Sequence, residues 1–280
     1  MELDAAKVEN GTRGTTAIWR YMDLPRFVSM ISTSTLWFSK AATLCDDPWE
    51  GFGKAECLKA LVADGSPGLV MHEAPDGTRT NISVPQMLAG LSQRSASIFE
   101  NAQDHIYANS WCLDASESMA TWQIYGSLGS GVAVRSSVEQ YQRAAKFGVD
   151  SSHYIFGEVT YHESIESEPA VHRDLRETIP APGFRLRSEV LKLGLHKRSC
   201  YWYEHEWRAV IYQDSRPEIA GIRETFDLEQ LISAVYVGPR AQEFVAEVVY
   251  SMIEKFLIRK PLERSVLLSS PRNERASQPE

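Results

Sequence analysis

Two glutamates flank a histidine in YWYEHEWRAVIY, Tyr201 to Tyr212. If this stretch is extended, its side chains alternate, so Glu204, Glu206 and Arg208 share one face and His205, Trp207 and Ala209 the other. Carboxylates so close on one face need solvent, a donor or a substrate. Their repulsion also splits their pKa values, which suits acid and base roles. The same residues suit a plainer reading, an exposed strand start in which Arg208 neutralises Glu206. His205, on the opposite face, reads as packing or support for the site and not as a base.

Trp19-Arg20-Tyr21 poses a similar choice. An arginine between aromatic rings and just ahead of a helix can hold a phosphate or carboxylate through two hydrogen bonds. It can equally be structural, paired with an acid such as Glu50. A third element is NSWCLD, residues 109–114, followed by MATWQIYGSLGSGVAV, residues 119–134. Ser110 lies on a strand and can form part of a pocket wall. Trp122 and Tyr125 are spaced to share one face of a short helix. Their rings can stack on a base or nicotinamide, or fill the core.

The elements that must position these groups follow from local patterning. Asp23 is placed to cap a helix with an apolar stripe of Leu24, Phe27, Val28 and Ile31. Leu36-Trp37-Phe38 predicts a strand, and CDDPWEGFG a tight turn. Segment 62–83 reads as an irregular insertion or a short hairpin, and Pro85 to Phe99 as a helix. Strands are expected over 106–113, 131–135, 154–161, 206–212 and 235–237, and a short helix over 118–125. Segment 162–183 reads as a surface excursion and 184–197 as helical. Residues 243–257 carry apolar side chains at 244, 245, 248, 249, 252, 253, 256 and 257, an amphipathic helix. Residues 1–15 read as a loose leader and 261–280 as a flexible tail. The expected organisation is one α+β domain over 16–260, with mixed or antiparallel sheets flanked by helices.

Composition limits the function classes. The 280 residues are 43% hydrophobic and 24% charged, values of a soluble globular chain with a sizeable core. A formal charge of -8 argues against general duplex DNA binding, which needs clustered Lys and Arg, while leaving room for a local basic pocket. The four cysteines match no metal knuckle and no CxxC pair, and no metal is expected. DDPWEG offers hard oxygen ligands for a divalent ion but suits a turn equally well. GSLGSG lacks the Rossmann spacing and reads as a loop. With no apolar signal core at the start and no bilayer-length run, the expectation is a reducing, cytoplasmic location without a membrane partner.

The blocks WRYMDL, MISTSTLWFSKAATLCDDPWEG, NSWCLDASESMATWQIYGSLGSGVAV, YEHEWRAVI and VYVGPRA resemble, in that order, the prokaryotic domain-of-unknown-function 2971 family, from about Ile18 to Phe256. More distantly, the order of an aromatic-flanked Arg, a helix, the LWFS strand, a serine-bearing strand and a late ExE is similar to ADP-ribosyltransferase-like domains. That resemblance implies an enzyme that cleaves the nicotinamide–ribose bond of NAD and transfers ADP-ribose to a protein, nucleic acid or small-molecule acceptor. Hydrolysis by an NAD glycohydrolase is the close variant, and a toxin-type or antiviral defence role the associated biology. It assigns Glu206 and Glu204 to catalysis, and Arg20, Tyr21, Ser110, Trp122 and Tyr125 to holding NAD. The usual Ser-Thr-Ser triplet is absent around Ser110; STS occurs instead at 32–34, and Ser39 is another candidate. A non-enzymatic nucleotide sensor or protein-interaction module is the competing class, and it expects Glu206 and Arg208 to pair with each other away from any pocket.

Overall fold

The structure, a computed structural model, describes residues 8–9, 12–44, 51, 69–73, 79–83, 101–149, 153–163, 186–213 and 219–268. The expected CDDPWEGFG turn apart from Gly51, the helix over 85–99 and nearly all of the 162–183 excursion lie outside them, as do Glu50 and the last twelve residues of the expected tail.

The strands, in chain order, are β1 (Val8–Glu9), β2 (Ala17–Met22), β3 (Thr35–Lys40), β4 (Leu69–Glu73), β5 (Arg79–Ser83), β6 (Ile106–Cys112), β7 (Val132–Ser137) and β8 (Ala145–Lys146). They continue with β9 (Tyr154–Glu158), β10 (Thr160–His162), β11 (His196–Arg198), β12 (Glu206–Tyr212), β13 (Gly221–Phe226), β14 (Ala234–Val237) and β15 (Leu262–Arg264). The helices are α1 (Leu24–Thr33), α2 (Met119–Thr121), α3 (Val138–Ala144), α4 (Leu186–Leu193), α5 (Leu228–Leu231) and α6 (Glu243–Lys255). This is the expected α+β architecture, with a mixed sheet flanked by helices.

The main sheet runs β1-β9-β12-β6-β2-β7-β14-β15, mostly antiparallel, with β1 and β15 added in parallel. It forks at β6. One edge of β6 pairs fully with β12, from Glu206 opposite Cys112 to Tyr212 opposite Ile106. The other edge pairs with β3 at its start, where Ser39 meets Ala108, and with β2 at its end, where Trp19 meets Cys112. Between those points side chains satisfy backbone groups left by the diverging strands. Asn109 Nδ2 donates to the Trp37 carbonyl at 2.8 Å, and Arg20 Nη1 to the Ser110 carbonyl at 2.6 Å.

One face of β6 and β12 carries Tyr107, Trp111, Trp207, Ala209 and Ile211 into the largest core cluster, under α1, α3, α5 and α6. The opposite face changes character along its length. Val210, Tyr212 and Ile106 pack under α4 with Val190 and Leu191. Beyond the end of α4 the same face carries Glu206, Arg208 and Ser110, and there the sheet is left open as a cleft.

Several boundaries differ from expectation. The helix expected over 184–197 stops at Leu193, and Lys197 lies on β11. Gly194 explains the stop: a Cβ there would sit 2.7 Å from Val210 Cγ1, so only glycine lets the chain turn this close to β12. Val8–Glu9 pairs with β9, so the segment read as a leader contributes a strand. Likewise Leu262–Arg264, read as tail, pairs with β14. In α6 the buried residues are Val245, Ala246, Val249 and Ile253, while Phe244 and Val248 face outward, because the core accepts only one edge of the wide apolar stripe.

Candidate active site

Glu206 opens β12, a strand buried along its whole length. It is therefore not the exposed strand start of the plainer reading. Glu204 is not on the strand: it ends a 3₁₀ turn, Ser199–Glu204, and His205 then adopts a left-handed conformation with φ of 42°. The two carboxylates nevertheless converge, because Lys197 on β11 reaches both. Its Nζ donates to Glu204 Oε2 at 2.5 Å and to Glu206 Oε1 at 2.8 Å. Arg208 grips Glu206 from the other side, Nε to Oε2 at 2.8 Å and Nη2 to Oε1 at 2.9 Å, and its Nη1 donates to the Gly194 carbonyl at 2.9 Å. Glu204, Glu206, Lys197 and Arg208 are all buried.

This arrangement separates the two acids. Burial alone pushes Glu206 up, but the cations Arg208 and Lys197 and a hydrogen bond from Glu204 outweigh it and hold Glu206 well below the usual carboxylate range. Burial, followed by the hydrogen bond and charge of Glu206, pushes Glu204 up to about 7, with Lys197 opposing. One carboxylate thus stays ionised while its neighbour exchanges a proton near neutrality, the division of labour that acid–base catalysis uses.

Tyr125 completes the acid end. It lies in the π-helical turn Trp122–Gly126, and its hydroxyl donates to Glu204 Oε1 at 2.8 Å. Burial and the Glu204 charge raise its pKa, so it remains a donor. After this turn, Gly131 packs its α-carbon against the Gly126 carbonyl, where a Cβ would sit at 1.5 Å; GSLGSG is a tightly folded loop.

Arg20, Tyr21, Ser110, Tyr125, Glu204 and Glu206 all line one cleft of about 810 Å³. Burial pulls the Arg20 guanidinium down to about 10, which leaves it charged at neutral pH. Tyr21 is braced by the Ser118 N–H, which donates to its hydroxyl at 2.9 Å. Ser39 also lines the cleft, whereas Ser34 is the left-handed cap of α1. Trp122 takes the core-filling alternative. It is wholly buried, packs edge-on against Tyr21 at 5.0 Å and donates its Nε1 to Glu117, so no face of its ring is open to a ligand. Of the two readings of His205, core packing and support for the site, the structure speaks against core packing. Its side chain is 47% exposed and lies 3.5 Å from Asp114, because the left-handed turn swings it outward.

Lys197, which lines the cleft and joins the two acids, is the group that sequence reasoning missed. Its only signal was a basic run, HKR, shortly before the glutamates. Among the described residues no group of three or more His, Cys, Asp or Glu is placed to hold a metal ion. Asp46, Asp47 and Glu50 lie outside them. No described helix is long and apolar enough to cross a membrane.

No family model and no curated protein matches the chain, so the resemblance to the domain-of-unknown-function 2971 family rests on the quoted blocks alone. The chain is similar to solved structures of DarT from Thermus sp. 2.9. The complex with carba-NAD+ is 12% identical, over 90% of this chain and 96% of that one, with a TM-score of 0.34. The complex with NAD+ is 10% identical, over 91% and 97%, with a TM-score of 0.34. The complex with ADP-ribosylated ssDNA is 10% identical, over 90% and 94%, with the same TM-score of 0.34. At such scores the likeness transfers no residue roles.

Proposed function

We propose that the chain is an ADP-ribosyltransferase-like enzyme that takes NAD as substrate, breaks its nicotinamide–ribose bond and passes ADP-ribose to a protein, nucleic acid or small-molecule acceptor, or to water. The observation that carries this reading is the convergence of Arg20, Ser110 and the Glu204–Glu206 pair on one cleft from three separate segments. Breaking the glycosidic bond develops positive charge on the ribose, as in glycoside cleavage. Glu206, held ionised at neutral pH by Arg208 and Lys197, stabilises that charge more in the transition state than in the ground state. Glu204, titrating near neutrality, takes the acceptor's proton, and its ionisation frees an acceptor position on Glu206 for a ribose hydroxyl. Arg20 clamps a phosphate or the adjacent ribose, Tyr21 and Ser110 shape the wall beside it, and Tyr125 both fixes Glu204 and offers a half-exposed ring. We assign no ligand contact to Trp122.

A second reading, a nucleotide-binding module without turnover, draws on the tight grip of Arg208 and Lys197 on Glu206. Incubation with NAD separates the two. Nicotinamide release that falls by about a hundredfold or more in Glu206→Gln supports the enzyme. NAD binding without release, across several acceptors, favours the module, and absence of both release and binding rejects the NAD reading altogether.

A further inference from the structure

The cleft has a second end. It crosses β12, β6, β3 and β13, and the acids occupy only the β12 side. On the far side Arg223 and Trp37 are direct cross-strand partners. The Arg223 guanidinium lies over the Trp37 ring at 5.8 Å, and Trp37 keeps 41% of its surface exposed. Arg223 Nη1 is steered by two neutral hydroxyls, Ser29 Oγ at 3.2 Å and Thr35 Oγ1 at 3.4 Å, and makes no ion pair among the described residues. Arg26, also on the cleft, has a side chain 74% exposed and a loose 3.5 Å contact to Asp23.

An arginine on a solvated strand is ordinary. What sets Arg223 apart is its company and the charge around it. Among the described residues five cations and two carboxylates line the cleft, in a chain whose formal charge is -8. At the acid end the cations are matched by Glu204 and Glu206. Arg26 has Asp23 beside it, so the charge without a carboxylate partner among the described residues lies on Arg20 and, at the far end, on Arg223. Positive charge gathered in a concave, partly buried site against the sign of the whole molecule attracts an anionic ligand. Guanidinium forks match phosphoryl oxygens, and an exposed indole offers a stacking face to a nucleobase. Three strand spacings, about 14 Å, separate β13 from β12, enough for one elongated ligand to be held differently at each end.

We propose that Arg223, Trp37 and Arg26 form a nucleoside-diphosphate subsite, Trp37 stacking the base and the two guanidiniums holding phosphoryl oxygens. The proposal rests on the NAD reading in that it says where the diphosphate-bearing half of the substrate lies. It is tested without turnover, by titrating ADP into the full chain by calorimetry. Arg223→Gln and Trp37→Ala should each weaken ADP binding about tenfold or more, while Arg143→Gln, which removes a surface cation on α3, leaves it unchanged. Unfolding midpoints of the variants check that the fold is intact. Failure of the wild type to bind ADP overturns the proposal, as does equal binding by all four proteins. If nicotinamide is never released yet ADP binding depends on Arg223 and Trp37, the enzymatic reading fails and the subsite stands. If release depends on Glu206 but ADP binding ignores Arg223 and Trp37, the subsite fails and the enzyme stands.

Discussion

At the scale of single residues, Lys197 decides how the acid pair works. Its charge pulls Glu204 down against burial and Glu206, and its hydrogen bonds hold both carboxylates in place. Removing the charge must raise Glu204 above about 7. If ionised Glu204 takes the acceptor's proton, Lys197→Met moves the acidic limb of the pH–rate profile for nicotinamide release to higher pH. Lys197→Arg keeps the charge and moves it less. A merely structural lysine lowers the rate without displacing the limb. Tyr125→Phe tests the same group from the opposite oxygen. Loss of the 2.8 Å hydrogen bond to Glu204 removes a donor that favours its ionised form and again shifts the limb upward. These two shifts share a sign, so opposite movements in the two profiles would exclude Glu204 as the titrating group.

At the scale of elements, the fork at β6 gives the cleft its place. Asn109 is the bolt. Its Nδ2 satisfies the Trp37 carbonyl on β3, and its Oδ1 accepts from Trp111 Nε1 at 2.8 Å and from Tyr141 Oη on α3 at 3.0 Å. Asn109→Leu leaves two buried polar partners and one partly buried carbonyl unsatisfied and is expected to cost about 3 kcal/mol, read from the urea midpoint; a loss below about 1 kcal/mol would mean that the fork closes without it. The element scale also separates what was legible in the sequence from what was not. Strand 206–212 was readable to the residue, because a run of β-branched and aromatic residues has one stable use. The start of α1 was readable from Asp23, whose side chain does accept from the Arg26 N–H at 2.7 Å. The end of α4 was not, since Gly194 is required by a side chain on a distant strand, and no local pattern announces a collision with Val210. That single misplaced boundary hid Lys197 inside an expected helix. The shared face of Glu204 and Glu206 was inferred from strand alternation, yet the left-handed turn at His205 breaks that alternation, and it is Lys197 that brings the two carboxyls together.

At the scale of the whole molecule, the site leaves a mark on stability against pH. Glu204 has its folded pKa raised from the usual carboxylate value of 4.5 to about 7, so between those values the folded chain holds a proton that the unfolded chain has released. Its contribution is present below pH 4.5 and is lost as pH rises through 7. His196 acts in the opposite sense. Burial, then the nearby charges of His162 and Lys192, lowers it from 6.5 to about 3, so the unfolded chain holds the extra proton and stability falls as pH drops from 6.5 towards 3. Its ring is committed to His162, Nδ1 to Nε2 at 2.8 Å, on the adjacent strand β10. Between pH 4.5 and 6.5 these two slopes oppose each other, about one proton each way. Glu204→Gln removes one of them. Relative to the wild type, its melting temperature should therefore fall more steeply with acid across that window, by up to about 1.4 kcal/mol per pH unit when converted to free energy. Parallel curves for the two proteins would show that Glu204 ionises alike in the folded and unfolded chains. Glu204 would then be an ordinary carboxylate, ionised throughout the neutral range, and the near-neutral proton exchange assigned to it in the transfer chemistry would fall, whatever the binding experiments give.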